Sequence, residues 1–349
     1  MTTTRALVAA TPNAKFETIT IERRAVGPHD VRIEIAYSGI CHSDIHQVRN
    51  EWFDGIFPMV PGHEMAGHVI EVGADVKNFT VGDRAGVGTF VNSCRECSSC
   101  KAGLENYCLK GNVQSYNGRE YDGTPTLGGY SREVVVDENY VLHIPAGMNM
   151  AEAAPLLCAG ITVYSPLAHW GAGPGKRVAI LGMGGLGHIA VKLAVAMGAE
   201  VTVLGHSLSK KAEAISYGAF DYRSTAEDKT FEDLKGHFDL IVNAASADID
   251  VDKLLSLIAV DGSLVFVGLP PEKQSFSAFS LVPKRGSISG SNVGGIKETQ
   301  EMLDFCAKHN IGSSIELVSA ANPADIDAAW DRVVNSDVRY RFVIDASTI

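Results

Sequence analysis

Residues 177–205, RVAILGMGGLGHIAVKLAVAMGAEVTVLG, leave this chain little freedom in how it can fold. An apolar run, a glycine turn, a helical stretch and a second apolar run describe a β-α-β unit. Gly182, Gly184, Gly185, Leu186 and Gly187 lie in a G-x-G-x-x-G motif at the strand-to-helix turn. Such glycines permit a tight turn and close approach of a pyrophosphate, whose charge would lie at the helix N-terminus. A glycine-rich turn without a ligand is the plain alternative, and the motif's position between strand and helix argues against it. Strand and helix signals alternate to about residue 290, through FDLIVNA, SLVFVGL and SISGS, which predicts a doubly wound parallel sheet with right-handed crossovers.

The acidic residue that usually follows such a motif by about twenty positions, to hold a ribose 2′-hydroxyl, is missing after VTVLG. Gly205, His206 and Ser207 stand there, followed by Ser209, Lys210 and Lys211. A small residue with hydroxyl and ammonium groups beside it leaves room and charge for a 2′-phosphate, which favours NADP(H) over NAD(H). A solvated helix face is the alternative reading for the two lysines.

A second constraint is the stretch CRECSSCKAGLENYC, where Cys94, Cys97, Cys100 and Cys108 follow C-x2-C-x2-C-x7-C and use four of the chain's seven cysteines. Four thiolates at this spacing suit one tetrahedral metal ion, zinc above others. A disulfide framework fits a short secreted chain, and a redox pair needs a single C-x-x-C. Of the other cysteines, Cys41 in GICHSDIH and Cys158 in APLLCAG combine with His63 in PGHE into the two-cysteine, one-histidine set of a catalytic zinc, which keeps one position for substrate. Cys306 lies in a helical pattern and reads as core.

The 349 residues, 46% of them hydrophobic, can fill two cores. Half-buried strands with frequent glycines before residue 150 predict a β-rich, barrel-like region, and AEAAPLLCAGITVYSPLAHW reads as helix around Cys158. The expected divisions are 1–154, 155–291 and 292–349, the last rejoining the first. A net charge of −11 without a Lys/Arg run argues against nucleic acid and anionic membranes as partners. The apolar run Ala6 to Ala10 is too short for a signal peptide, and no run is long enough to span a bilayer, so a cytoplasmic protein is expected.

Taken together, GICHSDIH, PMVPGHE, the cysteine lobe, the SYN tripeptide at 115–117, APLLCAGITVYSPL, LGMGGLGH, GSNVGGIKETQEML and DVRYRFV resemble the zinc-dependent medium-chain alcohol dehydrogenases, within them the cinnamyl alcohol dehydrogenase group. The motifs span essentially the whole chain. The resemblance implies an α/β protein with a GroES-like catalytic domain, a Rossmann cofactor domain and a homodimeric assembly. It implies one catalytic and one structural zinc per chain, NADP(H), and reduction of an aldehyde by hydride from the nicotinamide while zinc polarises the carbonyl. By position, Glu64 would approach the metal, Asp44 would orient His63, and Ser43 and His46 would relay the proton. Thr162, Gly268, Ser291, Asn292 and Val293 would contact the cofactor, with Ser207 and Lys210 on its phosphate.

Two departures stand out. Gln114 precedes SYN where plant members carry Trp, and Gly205-His206 replaces a serine-rich turn. Both fit a broad-range aromatic and aliphatic aldehyde reductase better than a dedicated lignin enzyme. Trp52 and Phe53 would then either supply an apolar pocket wall or pack beneath it. Other readings are an NAD-linked polyol or secondary alcohol dehydrogenase, which the missing acid disfavours, and a catalytically silent zinc-stabilised binding protein. A silent protein would have no use for an open metal position.

Overall fold

The computed structural model describes residues 1–270 and 272–349 and resolves into two compact units. One comprises Met1–Cys158 with Gly294–Ile349, the other Ala159–Val293. The unit divisions thus fall at Cys158 and Val293, against the expected 154 and 291.

The first unit is built on a mixed seven-stranded sheet in the order Ile315–Ser319, Arg341–Asp345, Asp30–Gly39, Met65–Val72, Arg84–Val87 and Leu142–His143, with Glu133–Asp137 pairing Asp30–Gly39. Alternation drives it: Val31, Ile33 and Ile35 are buried on the strand Asp30–Gly39, and Glu34 between them is exposed. The register brings distant segments together. Val343 faces Gly39 and Ser38 faces Met65, so three chain segments meet beside the end of one strand. Thr2–Val8 and Glu17–Arg23 form a separate antiparallel pair, and Phe90–Asn92 pairs with Val113–Gln114.

The second unit has six parallel strands in the order Asp221–Ser224, Glu200–Gly205, Arg177–Leu181, Phe238–Asn243, Ile258–Phe266 and Ser287–Gly290. Numbered by sequence this is 3-2-1-4-5-6, the Rossmann order. The central strand RVAIL is buried from Val178 to Leu181, as a strand covered on both faces must be.

The helix expected through Cys158 is interrupted there. A short helix Met150–Ala153 tightens into a 3-10 turn, Ala154–Leu157, and Cys158 leaves helical geometry at φ −124°, ψ −69° before a new helix, Ala159–His169. A thiol on a continuous helix would be fixed by helix geometry, whereas this break turns Cys158 independently. Among the described residues no single helix is long and apolar enough to cross a membrane.

Candidate active site and metal centres

Cys41, His63, Glu64 and Cys158 each offer one ligand atom, and these atoms lie within 4.8 Å of one another. Cys41 follows the strand Asp30–Gly39, His63 and Glu64 precede Met65–Val72, and Cys158 sits at the helix break. Glycines make the approach possible. A Cβ at Gly39 would meet Glu64 Oε2 at 1.9 Å, and one at Gly88 would meet the Leu157 carbonyl at 2.9 Å. The two thiols stand 4.0 Å apart, close to the roughly 3.8 Å edge of a tetrahedron with zinc–sulfur bonds of about 2.3 Å.

Charge here is arranged for a cation. The hydrogen bond from Cys158 pulls the Cys41 thiol well below its usual value, and the same bond pushes Cys158 up. Glu64 is fully buried; one carboxylate oxygen pairs with the Arg341 guanidinium, and Oε2 has no partner among the described residues. Burial pushes this carboxyl up to about 8 against the pull of Arg341. An unpartnered buried oxygen beside two thiols is costly unless a cation joins them. These residues therefore fit a zinc ion.

His63 is aimed from behind by Asp44, whose Oδ1 lies 2.9 Å from His63 Nδ1, which leaves Nε2 to face the Cys41 thiol. Asp44 also accepts the Cys41 N–H at 3.0 Å, the Gly62 N–H at 3.2 Å and the Tyr130 hydroxyl at 3.4 Å, while remaining wholly buried. Burial alone would lower His63, but the Asp44 charge and hydrogen bond hold it well above the usual imidazole value. Tyr116 of SYN stacks on His63 at 5.8 Å, its neighbour Ser115 donates to the Gly88 carbonyl, and Asn117 accepts the Ile56 N–H at 2.7 Å. The tripeptide thus pins one wall of the site.

Ser43 and His46 lie on the helix His42–Val48, and Ser43 Oγ is 3.6 Å from Cys41 Sγ. His46 is sandwiched between His42 at 4.9 Å and Trp52 at 4.6 Å, with Nδ1 on Glu51 Oε2. Trp52 therefore supports His46, while Phe53 is 72% exposed and packs beneath nothing. Gln114 is exposed and donates to the Asn112 side chain.

The cysteine lobe gathers its four thiols within the same 4.8 Å. Sulfur atoms of Cys94 and Cys100 are 3.9 Å apart, and the Cys97 thiol accepts the Cys100 and Leu109 N–H groups at 3.5 and 3.4 Å. Those donors hold Cys97 down at about 6, while burial pushes Cys100 up to about 12. Four thiols at tetrahedral spacing with amides already aimed at sulfur fit a structural zinc ion.

In the second unit each glycine of the turn has its own reason. Gly182 has φ +91°, a Cβ at Gly184 would meet nothing within 4 Å, and one at Gly187 would strike the Gly182 carbonyl at 1.9 Å. Turn, approach and helix packing are thereby separated, as a bound pyrophosphate requires. Gly185 and Leu186 complete the turn before the helix Gly187–Ala196, and buried His188 holds it with Nδ1 3.0 Å from the Gly184 carbonyl. The lysines divide: Lys210 Nζ donates to the Met183 carbonyl at 2.8 Å, on the glycine turn, whereas half-exposed Lys211 reaches Tyr222 and Asp221. Ser207 Oγ lies 3.0 Å from Ser209 Oγ beside them. Gly205 has a packing cause, since a Cβ there would meet the Tyr222 hydroxyl at 2.0 Å. The missing acid at that position therefore carries less weight than Lys210. Thr162 is buried in Ala159–His169, a Cβ at Gly268 would meet the Ala245 carbonyl at 2.3 Å, and the Ser291 N–H reaches the Phe266 carbonyl at 3.0 Å. Ser291, Asn292 and Val293 close the unit, Val293 with φ +41°.

The alcohol dehydrogenase GroES-like domain family matches residues 27–146 and the zinc-binding dehydrogenase family matches 185–308. A probable formaldehyde dehydrogenase of Bacillus subtilis is 56% identical over 99% of this chain and 98% of its own. An NADP-dependent alcohol dehydrogenase of Mycolicibacterium smegmatis is 55% identical over 100% and 99%. The crystal structure of a cinnamyl alcohol dehydrogenase from Helicobacter pylori, complexed with NADP(H), superposes with TM-score 0.92 at 42% identity, covering 99% of this chain and 98% of that one. The chain belongs to the zinc-binding alcohol dehydrogenase family and is an oxidoreductase of that kind.

Several site residues have no obvious sequence signal. Arg341 opens the strand RFVID directly before the apolar Phe342, Val343 and Ile344, an unusual place for a cation without a partner, and that could have marked it. Tyr130, Trp330 and Glu51 carry no such mark, because their partners are set by tertiary structure.

Proposed function

We propose that this chain interconverts primary alcohols and aldehydes with NADP(H), working mainly as an aldehyde reductase of broad aromatic and aliphatic range. The observation that carries this reading is the convergence of Cys41, His63 and Cys158, a three-ligand set that leaves a tetrahedral zinc one exchangeable position. Bound zinc would supply Lewis acidity at the substrate oxygen, and NADP(H) would supply or accept the hydride. Glu64, paired with Arg341 on one oxygen, keeps the other available to the metal side. Ser43 holds the proton nearest Cys41, and His46, three residues on, carries it outward. With His46 Nδ1 on Glu51, Nε2 is the exchanging atom.

Lys210 at the Met183 carbonyl supports a phosphate-bearing cofactor, as does the NADP dependence in the relatives' names. The turn glycines, Leu186 and Ser207 would line the pyrophosphate and ribose, with Thr162, Gly268 and Ser291 to Val293 nearer the nicotinamide. Cys94, Cys97, Cys100 and Cys108 would hold the structural zinc. The seven free cysteines suit a reducing, cytoplasmic setting. A homodimer is supported by the second unit, where Ser287–Gly290 is an edge strand and the segment leading to it exposes Leu269, Phe276, Phe279 and Val282, apolar surface that a second copy could cover.

The test is initial-rate kinetics on aromatic and aliphatic aldehydes with NADPH and NADH, alongside metal content and solution mass. Two zinc ions per chain, NADPH preference and a dimer are expected. Fewer than two metals, or faster turnover at limiting NADH, would overturn the corresponding part.

A further inference from the structure

A buried chain of polar contacts reaches His63 from the C-terminal segment. The Trp330 indole N–H, on the helix Pro323–Val334, donates to the Tyr130 hydroxyl at 3.3 Å, and that hydroxyl donates to Asp44 Oδ2 at 3.4 Å. Asp44 in turn holds His63 Nδ1 at 2.9 Å. Trp330 is 5% exposed, His63 4%, Tyr130 and Asp44 not at all. The polarity of this chain is fixed. An indole N–H can only donate, a phenol has one proton, and a carboxylate only accepts.

From this geometry we infer that Tyr130 and Trp330 are positioning residues for the metal-ligating histidine: the Trp330–Tyr130 pair holds Asp44, and Asp44 sets the tautomer and aim of His63. The inference rests on the proposed zinc at Cys41, His63 and Cys158. Without Tyr130, the buried carboxylate would keep its three other donors but lose the one that braces Oδ2 from the core side. Donation from Trp330 strengthens the phenol O–H by polarising it.

The surroundings are built to place that hydroxyl. Tyr130 follows Gly128 and Gly129, where added Cβ atoms would strike the Gly62 and Pro61 carbonyls at 2.4 and 2.5 Å and Met65 Cγ at 2.3 Å. The Tyr130 and Gly129 N–H groups donate to the Pro61 and Gly62 carbonyls, both at 2.9 Å, which docks this segment on the one leading to His63. Buried Arg23 donates to the Leu127 and Gly128 carbonyls and to Ser131 at 2.6 to 2.8 Å. Phe16 packs edge-on against Trp330, with centroids 4.8 Å apart.

Tyr130→Phe, Trp330→Phe and the double variant test this, because each removes one polar proton and keeps a ring. Three readouts are taken on the full chain: the visible spectrum with cobalt replacing the catalytic metal, read against Cys41→Ser as blank; release of that metal to a chelator; and kcat beside KM for an aldehyde. Tyr130→Phe should shift the cobalt bands, speed metal release about 10-fold and lower kcat several-fold with KM little changed, the low end for groups hydrogen-bonded behind a metal ligand. Trp330→Phe should act in the same direction by about 3-fold, and should add nothing in the Tyr130→Phe background. Unchanged spectrum and release in Tyr130→Phe overturn the inference. Additive effects in the double variant overturn the role of Trp330, which would then act through packing. If Cys41→Ser loses no metal, the zinc reading fails first and takes this inference with it.

Discussion

The two candidate metal centres of the first unit share thiolate chemistry and are assembled in opposite ways. In the lobe, four ligands fall between Cys94 and Cys108, three are half-exposed, and the local backbone already donates to sulfur. In the other, Cys41 and Cys158 stand 117 positions apart, and Cys41, His63 and Cys158 are all buried. A local cage closes a short loop, so it can form early and staple an irregular excursion. The buried site appears only once Gly39, Met65 and Val343 are in register. One centre helps make the fold, and the other is made by it.

That contrast is sharpest in a pair of cysteine variants. Cys41→Ser should cut turnover by about 1000-fold or more, since several kcal/mol of charge stabilisation leave with the metal, while the thermal midpoint moves by a few degrees at most. Cys94→Ser should do the reverse. It should lose the other metal and lower the midpoint by roughly 10 °C, with much of the turnover kept in molecules that stay folded. Elemental analysis, calorimetry and rates on both proteins check this. An unfolded Cys41→Ser, or a fully stable Cys94→Ser, would break the comparison.

The next effect belongs to the buried centre alone. Arg341→Met should destabilise the chain by about 3–5 kcal/mol, because it strands the buried Glu64 carboxyl, whose salt bridge among the described residues is to that guanidinium. Adding Glu64→Gln should recover part of the loss, since a neutral amide costs less to bury than a carboxyl left without its cation. Denaturant midpoints of the single and double variants decide it. A harmless Arg341→Met would mean that the ion pair does not support the site.

The same contrast separates the features a sequence makes legible from those it hides. Local patterns are legible: the glycine turn at 182–187, the cysteine spacing at 94–108, and the alternation of Asp30–Gly39. Trp330 and Tyr130 are not, because 200 positions separate them and neither sits in a pattern. Gly205 is legible only in part. Its missing side chain looks like an accommodation for phosphate until Tyr222 is seen to fill the space. Cys158 shows the limit of periodicity, since the residues around it have helical composition and the break that frees its thiol has no apolar signature.

The smallest expected effect lies where the buried centre meets solvent. The side chains of His46 and Glu51 are 26% and 43% exposed, so on the proposed path a proton leaving Ser43, beside buried Cys41, would reach water within one short helix. His46→Gln keeps a polar side chain in the stack between His42 and Trp52 but cannot take up the proton. Turnover should fall by roughly 10-fold to 100-fold near neutral pH, the lower part of the range for a positioned acid–base group, because water can reach the same place. Ser43→Ala should cost more. Its hydroxyl lies 3.6 Å from the buried Cys41 Sγ, closer to the proposed metal position than His46. Solvent isotope effects on kcat, measured beside the rates, would show whether proton transfer has become limiting. Wild-type rates in both variants would remove these two residues from the proton path and leave the buried centre without a defined exit to solvent.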